Sequence, residues 1–492
     1  MATTATLLNC QSSSVNHKLR DSTRDRSPNL QNVSTLKIQE IANLTTELQK
    51  ILSNQNSEIQ DLYTNCINDN EHIYITTNHG VLFDYNVPNH LLKSVWNAEA
   101  RKKKTGTGYT SFIWQDQLAI VDNVSRNVDI LRLFSLDSFA QKGEAQCSPF
   151  PDIYIPLKEH ICVINRFSPG SQDFLLQVYD SSLFSSWQFP FEEAHIKPLF
   201  DMIQMESVLH VMYTSDDDFL YHAGIDLSTG TILIVEPILP FIQKHIPNRI
   251  FGLQENGKHV LYLDSLAYMC SYSESGCIVA EFSFQPDQTM QKVWSQSFSP
   301  FSTPKENQRF VFGGMQNTKG KIFLPVFCET TEEHTSIPKR EVCLFCFDRE
   351  NGDICWSTPM FEGNDCELFF ENNNAVFLID NNETSAVYWL DIANGSILKK
   401  QSISSAYCYA LLDSEKRTVN SSNAYAWVQD QGVLLDFHLA TGKVITKVFK
   451  QEVEELTFCH CNDSIYFLLR EKNKPSSFSE SITTVRLFQI EN

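Results

Sequence analysis

Two pairs of closely spaced cysteines are the first residues in this sequence whose spacing could do chemistry. Cys343 and Cys346 form a Cys-x-x-Cys in "VCLFCF", and Cys459 and Cys461 flank His460 in "FCHCND". Such spacing serves zinc binding or thiol redox chemistry when a turn brings the sulfurs together. Residues three apart on a strand point to opposite faces, and two thiols alone do not complete a tetrahedral site. We therefore predict buried structural thiols, with no metal or redox role.

The most distinctive local charge feature is a basic run beside two glycines. The stretch "RKKKTGTGYTS" places Arg101, Lys102, Lys103 and Lys104 next to a Gly-x-Gly. A phosphate-binding loop needs the order Gly-x-x-x-x-Gly-Lys-Ser/Thr, which this stretch lacks. We predict a solvated loop between the first two repeat units. A basic patch for nuclear import or for an acidic partner is the alternative.

The other chemical candidates are weaker. The acidic "TSDDDF" (Thr214–Phe219) could attract a cation, but a calcium loop needs alternating oxygen ligands and a bidentate Glu, so we predict a hairpin tip. No Gly-x-Ser-x-Gly, His-Glu-x-x-His or nucleotide-binding fingerprint occurs, and the 13 histidines are dispersed. We predict no catalytic, cofactor-binding or metal-binding residue. This favours a protein that is not an enzyme without deciding the question, because active sites can be assembled from distant residues.

Composition narrows the classes of partner. The chain has 492 residues and a formal net charge of −20, which disfavours binding to nucleic acid and to anionic membranes. No apolar run is long enough for a transmembrane helix, and the first residues lack the pattern of a secretory signal. The 14 scattered cysteines are typical of buried thiols in a reducing compartment, so we expect a cytoplasmic protein. The Ser/Thr-rich start leaves organelle import and effector-type export open.

The hydrophobic pattern divides the chain into three segments. Residues 1–35 are polar and aperiodic, which predicts a disordered tail. In residues 36–58, apolar residues of "LKIQEIANLTTELQKIL" recur at spacings of three and four, which predicts a short helical segment. Residues 59–492 carry short runs rich in β-branched and aromatic residues between turn clusters, which predicts strands joined in hairpins.

One hairpin recurs along the strand-rich segment. It consists of an apolar strand, an Asp, a Gly-containing turn and a second apolar strand, as in "LFCFDRENGDICW". The Gly supplies φ > 0 for the reversal, and the Asp can bond its own backbone two residues on. The residues that mark the turn in the four clearest copies are Asp226 and Gly230, Asp348 and Gly352 with Trp356, Asp391 and Gly395, and Gly442.

The period of the repeat indicates the fold. Nine apolar strands open successive units, and their starts lie about 40–60 residues apart. A repeat of this length made of strands alone indicates an all-β β-propeller, in which each blade is a four-stranded sheet. We predict about eight blades, with seven as the runner-up, because one blade can be split between the two ends of the chain. The N- and C-terminal strands would then share that blade.

The hairpin resembles the repeat of quinoprotein-like (PQQ-like) β-propellers, in which a strand ends in an Asp-x-x-(Ser/Thr)-Gly turn followed by Trp. The copies "GIDLSTGTI", "CFDRENGDICW", "WLDIANGSI" and "LATGKVI" carry this resemblance. Trp follows the turn only at Trp356. The dehydrogenases of that family bind PQQ and calcium and use an acidic catalytic base, but no cofactor-site residue is matched here. The resemblance therefore implies the propeller, and we predict no cofactor.

A second resemblance concerns "NLTTELQKIL" (Asn43–Leu52), which is similar to the start of an F-box, with Thr45 in place of the usual Pro. It implies a substrate receptor of a ubiquitin ligase, whereas the simpler interpretation is a helix that packs on the propeller. The favoured function is a monomeric, non-catalytic platform for protein–protein interaction. The alternatives are the F-box-like receptor, and an enzyme or PQQ-type cofactor binder with a site in the central channel.

Overall fold

A computed structural model describes most of the strand-rich part of the chain. The residues it describes are 36–53, 66–68, 72–76, 81–97, 110–125, 128–147, 151–166, 174–190, 197–214, 219–240, 260–263, 265–273, 276–300, 308–330, 339–381, 384–413, 416–420, 422–449, 452–461, 464–473 and 482–490. The predicted disordered tail 1–35, the basic run 101–104 and the acidic residues 216–218 lie outside these described residues.

Strands dominate the described residues. The strands of the first half are β1 (Ile38–Asn43), β2 (Cys66–Asn68), β3 (His72–Thr76), β4 (Val81–Asn86), β5 (Leu91–Asn97), β6 (Thr110–Trp114), β7 (Gln117–Ser125), β8 (Val128–Ser135), β9 (Gln141–Gln146), β10 (Pro151–Pro156), β11 (Ile161–Arg166), β12 (Phe174–Tyr179), β13 (Ser185–Pro190), β14 (Lys197–Met205), β15 (Val208–Thr214), β16 (Phe219–Asp226), β17 (Ile232–Pro240), β18 (Val260–Leu263) and β19 (Leu266–Ser273).

The second half continues in the same way. Its strands are β20 (Gly276–Phe284), β21 (Met290–Phe298), β22 (Gln308–Phe312), β23 (Gln316–Thr318), β24 (Lys321–Thr330), β25 (Lys339–Asp348), β26 (Ile354–Ser357), β27 (Phe361–Glu362), β28 (Asp365–Glu371), β29 (Asn374–Asp380), β30 (Ala386–Asp391), β31 (Ile397–Ser402), β32 (Arg417–Val419), β33 (Asn423–Val428), β34 (Val433–His438), β35 (Val444–Val448), β36 (Glu452–Cys461), β37 (Ser464–Asn473) and β38 (Ile482–Ile490). The helical elements are α1 (Thr45–Ser53), α2 (Ser405–Leu412) and a 3₁₀ turn at Gln429–Gln431.

The described strands form nine sheets, which we number as blades along the chain. Blades 1 to 5 contain β2–β5, β6–β9, β10–β13, β14–β17 and β18–β21, and blades 6 to 9 contain β22–β27, β28–β31, β32–β35, and β36–β38 with β1. Blade 6 is four strands wide, because β22 and β23 both pair with β24, while β26 and β27 both pair with β25. This organisation is the predicted all-β β-propeller of four-stranded blades.

The prediction of eight blades, with seven as the runner-up, is wrong, since the described strands form nine. Each of the nine apolar strands that begin a repeat unit in the sequence lies in a different blade, and the last of them is β37. The blade that is split between the two ends of the chain takes only its outer strand, β1, from the N-terminal part. β1 is not one of the nine strands that begin a repeat unit. The division of blade 9 between the two ends of the chain therefore does not lower the number of blades.

The segment 36–58, predicted to be helical, begins as a strand. β1 pairs antiparallel with β38, with Ile38 opposite Ile490. The expected sharing of one blade by N- and C-terminal strands is therefore present in the described chain. A helix over residues 38–43 would leave the backbone donors and acceptors along β38 without this ladder, and the β-branched Ile38 and Ile41 suit a strand.

Helix α1 follows β1 and is anchored on blade 9. The Leu44 N–H donates to the Val485 carbonyl at 2.9 Å, and the Val485 N–H donates to Thr45 Oγ1 at 3.0 Å. Leu44 and Leu48 are buried in one hydrophobic cluster with strands of blades 9 and 1. Leu44 and Leu48 are thus part of the hydrophobic core of blades 9 and 1.

The central strand β25 is buried on both faces because blade 6 packs between blades 5 and 7. On β25, Cys343 and Phe345 belong to a cluster shared with blade 5, whereas Leu344 and Cys346 belong to one shared with blade 7. The two sulfurs of the Cys-x-x-Cys therefore lie on opposite faces, as the strand period requires.

The chain divides into two compact units, Met1–Ile113 with Asp413–Asn492, and Trp114–Leu412. The first contains blades 1, 8 and 9, and the second contains blades 3 to 7 and most of blade 2. In the second unit, the sequence pattern did not predict helix α2. It is buried through Cys408, whose thiol donates to the Ile379 carbonyl of β29 at 3.4 Å.

We expect Leu48→Ala to lower the free energy of unfolding by about 2–4 kcal/mol, because it removes a fully buried side chain and leaves a cavity. Gln49→Ala, on the exposed side of the same helix, is the matched control and should change it by less than about 0.5 kcal/mol. Chemical denaturation followed by circular dichroism measures both. Equal effects of the two variants would contradict the packing of α1 on blade 9.

Candidate functional site

The glycines of the recurring hairpin all occupy turns with positive φ. Their φ values are 72° at Gly230, 77° at Gly352, 72° at Gly395 and 66° at Gly442. Each glycine N–H donates to the carbonyl four residues earlier at 2.7–2.9 Å. This backbone conformation is the one that glycine adopts without steric cost.

The turn aspartates bond their own backbone. The carboxylates of Asp226, Asp348 and Asp391 each accept a hydrogen bond from the N–H two residues on, at 2.8–3.0 Å. Hydrogen bonds from the side chains of Ser228 and Thr229 lower the pKa of Asp226, and Lys321 lowers the pKa of Asp348. These carboxylates stabilise the turns as ionised acceptors.

Three of these turns support a tryptophan from the preceding blade. The indoles lie so close that a Cβ on the glycine would come within 2.3–2.6 Å of a ring atom. Each indole N–H donates to a backbone carbonyl of the same turn. The pairs are Trp187 over Gly230 with Leu227 O at 2.7 Å, Trp294 over Gly352 with Arg349 O at 3.2 Å, and Trp356 over Gly395 with Ile392 O at 2.9 Å.

One blade junction reverses this contact. In blade 3 the turn position with positive φ is held by Leu183, with φ 59°, where blades 4, 6, 7 and 8 have glycine. In blade 2 the strand position of the tryptophan is held by Gly143, which lies opposite Leu133 just after the bulge of β9. A Cβ on Gly143 would lie 2.9 Å from the Ser182 carbonyl and 3.6 Å from Leu183 Cβ. The junction keeps its close approach by exchanging the large and the small residue.

Blade 4 contains a buried chain of polar groups that crosses three strands. His222 Nδ1 donates to Glu236 Oε1 at 3.0 Å, because a carboxylate only accepts. His222 Nε2 is then left to accept from His210 Nδ1 at 2.9 Å. Glu236 Oε1 also accepts the N–H of Met290, in blade 5, at 2.7 Å. The chain therefore ties the last strand of blade 4 to its own blade and to the next.

Burial keeps both imidazoles neutral. His210 and His222 are almost fully buried, stacked with ring centroids 5.1 Å apart, and His210 packs on Phe284 at 4.4 Å. Burial first, and the neighbouring His222 second, lower the pKa of His210 to about 3. Burial also lowers the pKa of His222, against the opposing effect of Glu236. At neutral pH both imidazoles are therefore uncharged.

The strand ladder creates this group from residues far apart in sequence. His222 lies opposite Met212 on β15 and opposite Glu236 on β17, so His210 is its diagonal neighbour. His210 itself lies opposite Gly224, which has no side chain to fill the space. The sequence analysis counted these histidines as dispersed. The signal available was their position on neighbouring strands, which becomes informative only with the hairpin register.

Strand β17, which carries Glu236, is the edge strand of blade 4. Its sequence "ILIVEPILP" contains no Lys or Arg, and three of its aliphatic side chains are exposed: Ile232 (44%), Leu233 (47%) and Val235 (48%). No described strand pairs with its outer side. An apolar edge of nine residues with a fixed backbone is the kind of surface on which another chain can pair.

The paired cysteines of "FCHCND" and the histidine between them lie on strand β36 of blade 9. Cys459 and Cys461 are buried in the same hydrophobic cluster, so they share a face of β36. His460 hydrogen-bonds with Thr418, and burial lowers its pKa. Across the described ranges, no group of three or more His, Cys, Asp or Glu is arranged to hold a metal ion. None of the helices described is long and apolar enough to cross a membrane.

Comparison with known proteins gives similarities of structure alone. No protein-family model matches the sequence, and no curated protein matches it. BamB from Moraxella catarrhalis is 13% identical over 85% of this chain and 98% of its own, with a TM-score of 0.41. Quinohemoprotein alcohol dehydrogenase from Comamonas testosteroni is 10% identical over 87% of this chain and 74% of its own, with a TM-score of 0.40.

A third similar structure is Sqt1 from Saccharomyces cerevisiae, 10% identical over 77% of this chain and 93% of its own, with a TM-score of 0.40. A quinoprotein dehydrogenase, of the family that the recurring hairpin resembles, is thus among the similar structures. The comparisons show no resemblance of residues 43–52 to an F-box. We draw no functional conclusion from similarities at this level.

We expect Gly352→Ala to lower the free energy of unfolding by about 2–5 kcal/mol, from backbone strain at positive φ together with overlap on the Trp294 indole. Gly320→Ala is the matched control, because Gly320 has φ 70° and no atom within 4 Å of an added Cβ. Gly320→Ala should lower the free energy of unfolding by about 1–2 kcal/mol, from backbone strain alone. Denaturant titration separates the two. Equal losses would show that the indole contact does not constrain Gly352.

We expect the buried histidines to make stability fall with acidity. In the unfolded chain His210 takes up a proton near pH 6.5, whereas in the folded chain it stays neutral down to about pH 3. Neutral His210 therefore makes its full contribution to the free energy of unfolding above pH 6.5. This contribution decreases by about 1.4 kcal/mol per pH unit as the pH falls from 6.5 to about 3. His210→Leu should reduce this slope in denaturant titrations, whereas Met269→Leu, a change without a titratable group at a buried position of blade 5, should leave it unchanged. Parallel slopes for wild type and His210→Leu would contradict the assignment.

Proposed function

We propose that this protein is a non-catalytic β-propeller that binds another protein through the exposed edge strand β17. The observation that carries the proposal is the apolar edge itself, with Ile232, Leu233 and Val235 each nearly half exposed. An unpaired edge presents backbone donors and acceptors that an extended segment of another chain can complete, and the alternate side chains select the partner.

The contrast with another edge supports this choice. Edge strand β31 of blade 7 also exposes aliphatic residues, Ile397 and Leu398, but it follows them with Lys399 and Lys400. Lysine on an edge strand is a common protection against unwanted strand pairing. β17 has no such protection, although Pro237 and Pro240 remove backbone donors from its second half. Its first half is therefore the part suited to pairing.

The hydrogen bonds that connect His210, His222 and Glu236 hold β17 in the position from which it would bind a partner. Glu236 is held from one side by His222 and from the other by the Met290 N–H. These bonds fix the strand before a partner arrives, so association does not have to order it. A rigid edge with exposed aliphatic side chains retains more of its interaction free energy as affinity.

The alternative of an F-box-like ligase receptor has less support. An adaptor would need the apolar side of α1, but Leu44 and Leu48 are buried against blades 9 and 1.

We also propose that the protein works in a reducing compartment. This is supported by twelve cysteines whose side chains the structure describes, all of which are free thiols.

The proposal is tested by affinity purification of the full chain from its own cells, followed by mass spectrometry. We expect the double variant Leu233→Asp and Val235→Asp to lose at least about tenfold in recovery of the main partner, equivalent to about 1.4 kcal/mol. The matched control is Ile397→Asp with Leu398→Asp on the other edge strand. Both variants are first checked for wild-type unfolding midpoints.

Unchanged recovery with the β17 variant, or an equal loss with the β31 variant, would overturn the proposal. Loss of binding that occurs only with the β17 variant supports it, because the two variants add the same charges to similarly exposed aliphatic positions.

A further inference from the structure

One end of blade 6 brings two thiols and an ammonium group together. Cys346 lies on β25 opposite Trp356 of β26, and Phe347 lies opposite Ile354. Cys355 is therefore the extra residue of a bulge, directly beside the Cys346 position. These two cysteines are nine positions apart in sequence, and the hairpin turn at Gly352 makes them neighbours.

The two thiols differ in environment. Cys355 is exposed, whereas the other eleven cysteines whose side chains the structure describes are buried. Cys346 is fully buried, and its thiol shares a side-chain hydrogen bond with that of Cys355. Burial first, and the neighbouring Cys355 second, raise the pKa of Cys346. Cys346 is thus a protonated thiol held beneath an accessible one.

An ammonium group completes the arrangement. Lys321 Nζ donates to Cys355 Sγ at 3.1 Å and to Asp348 Oδ2 at 2.8 Å. These two bonds raise the pKa of Lys321, so the group stays charged. A neighbouring cation is typical of cysteines that react with oxidants, because the thiolate is the reacting species.

We propose that Cys355 and Cys346 form a peroxide-sensitive dithiol, in which Cys355 is oxidised first and Cys346 then closes a disulfide across the hairpin. Neighbouring positions of paired strands have the separation that a disulfide spans. The proposal does not depend on the proposed binding function of β17.

The reaction balances with a hydroperoxide as the oxidant. The Cys355 thiolate attacks one peroxide oxygen, an S–O bond forms, the O–O bond breaks and hydroxide leaves. The Cys346 sulfur then attacks the sulfenic acid, the S–S bond forms and the S–O bond breaks. The departing hydroxide takes the Cys346 proton and becomes water. The two thiols lose two electrons to the peroxide.

The choice of Cys346 rather than Cys343 follows from the strand period. Cys343 is the partner of Cys346 in the Cys-x-x-Cys, but it lies on the opposite face of β25, in a different hydrophobic cluster. Its thiol is directed to the Val326 carbonyl at 3.7 Å. The reactive pair therefore spans the hairpin, and the sequence motif is not the redox unit.

The experiment treats the full chain with a small excess of hydrogen peroxide and maps the products by peptide mass spectrometry without reduction. We expect a linked pair of peptides containing Cys346 and Cys355, with the loss of two hydrogens. Cys355→Ser should abolish the link. Cys343→Ser, a buried thiol on the same strand, is the matched control and should leave it intact.

Two further variants test the order of events. Cys346→Ala should trap a sulfenic acid on Cys355 that dimedone labels, while wild type should be labelled at least about tenfold less. Lys321→Gln should slow the formation of the link. If Cys346→Ala proves less stable, the wild type and Cys355→Ser still decide the question.

Several results would overturn the proposal. One is oxidation of Cys355 to the sulfinic acid in wild type as readily as in Cys346→Ala. Others are a bridge from Cys355 to Lys321 through oxygen, a link to Cys343, or a disulfide between two chains through Cys355. The mass of the linked peptides distinguishes each from the expected bridge.

Discussion

The contact between a tryptophan indole of one blade and a turn glycine of the next blade sets the distance between these blades. Trp187, Trp294 and Trp356 each bring a flat ring against a turn of the next blade, where a single added carbon would overlap it. The indole N–H also satisfies a carbonyl of that turn, so the contact is both packed and hydrogen-bonded. Central strands can then be buried on both faces, because the adjoining sheets are held close enough to fill the space between them.

The sequence predicted the architecture because its signals are local. Asp348 and Gly352 mark a turn whose geometry requires them, and the spacing of such turns identifies a propeller. Other junctions escaped prediction because a non-glycine residue holds the same backbone conformation, as Leu183 and Gln288 do. The blade count was too low because an outer strand that lies far away in sequence, β1, carries no repeat signal of its own.

The candidate sites were harder to predict because they depend on register. His210 and His222 are twelve residues apart, and only the pairing of β15 with β16 makes them neighbours. Cys346 and Cys355 meet because of one bulge, whereas Cys343, the partner of Cys346 in the Cys-x-x-Cys, lies on the opposite face of β25. Alternation along a strand separates residues that are close in sequence, while the ladder joins residues that are distant.

The pairing of β1 with β38 has a consequence for how the protein is made. β1 is synthesised before every other strand that the structure describes, and β38 after them, yet Ile38 and Ile490 are direct partners. Contacts of such sequence separation form slowly, since the loop between them must close first. During translation β1 therefore waits without its partner strand, and blade 9 is completed only when the other blades have already left the ribosome.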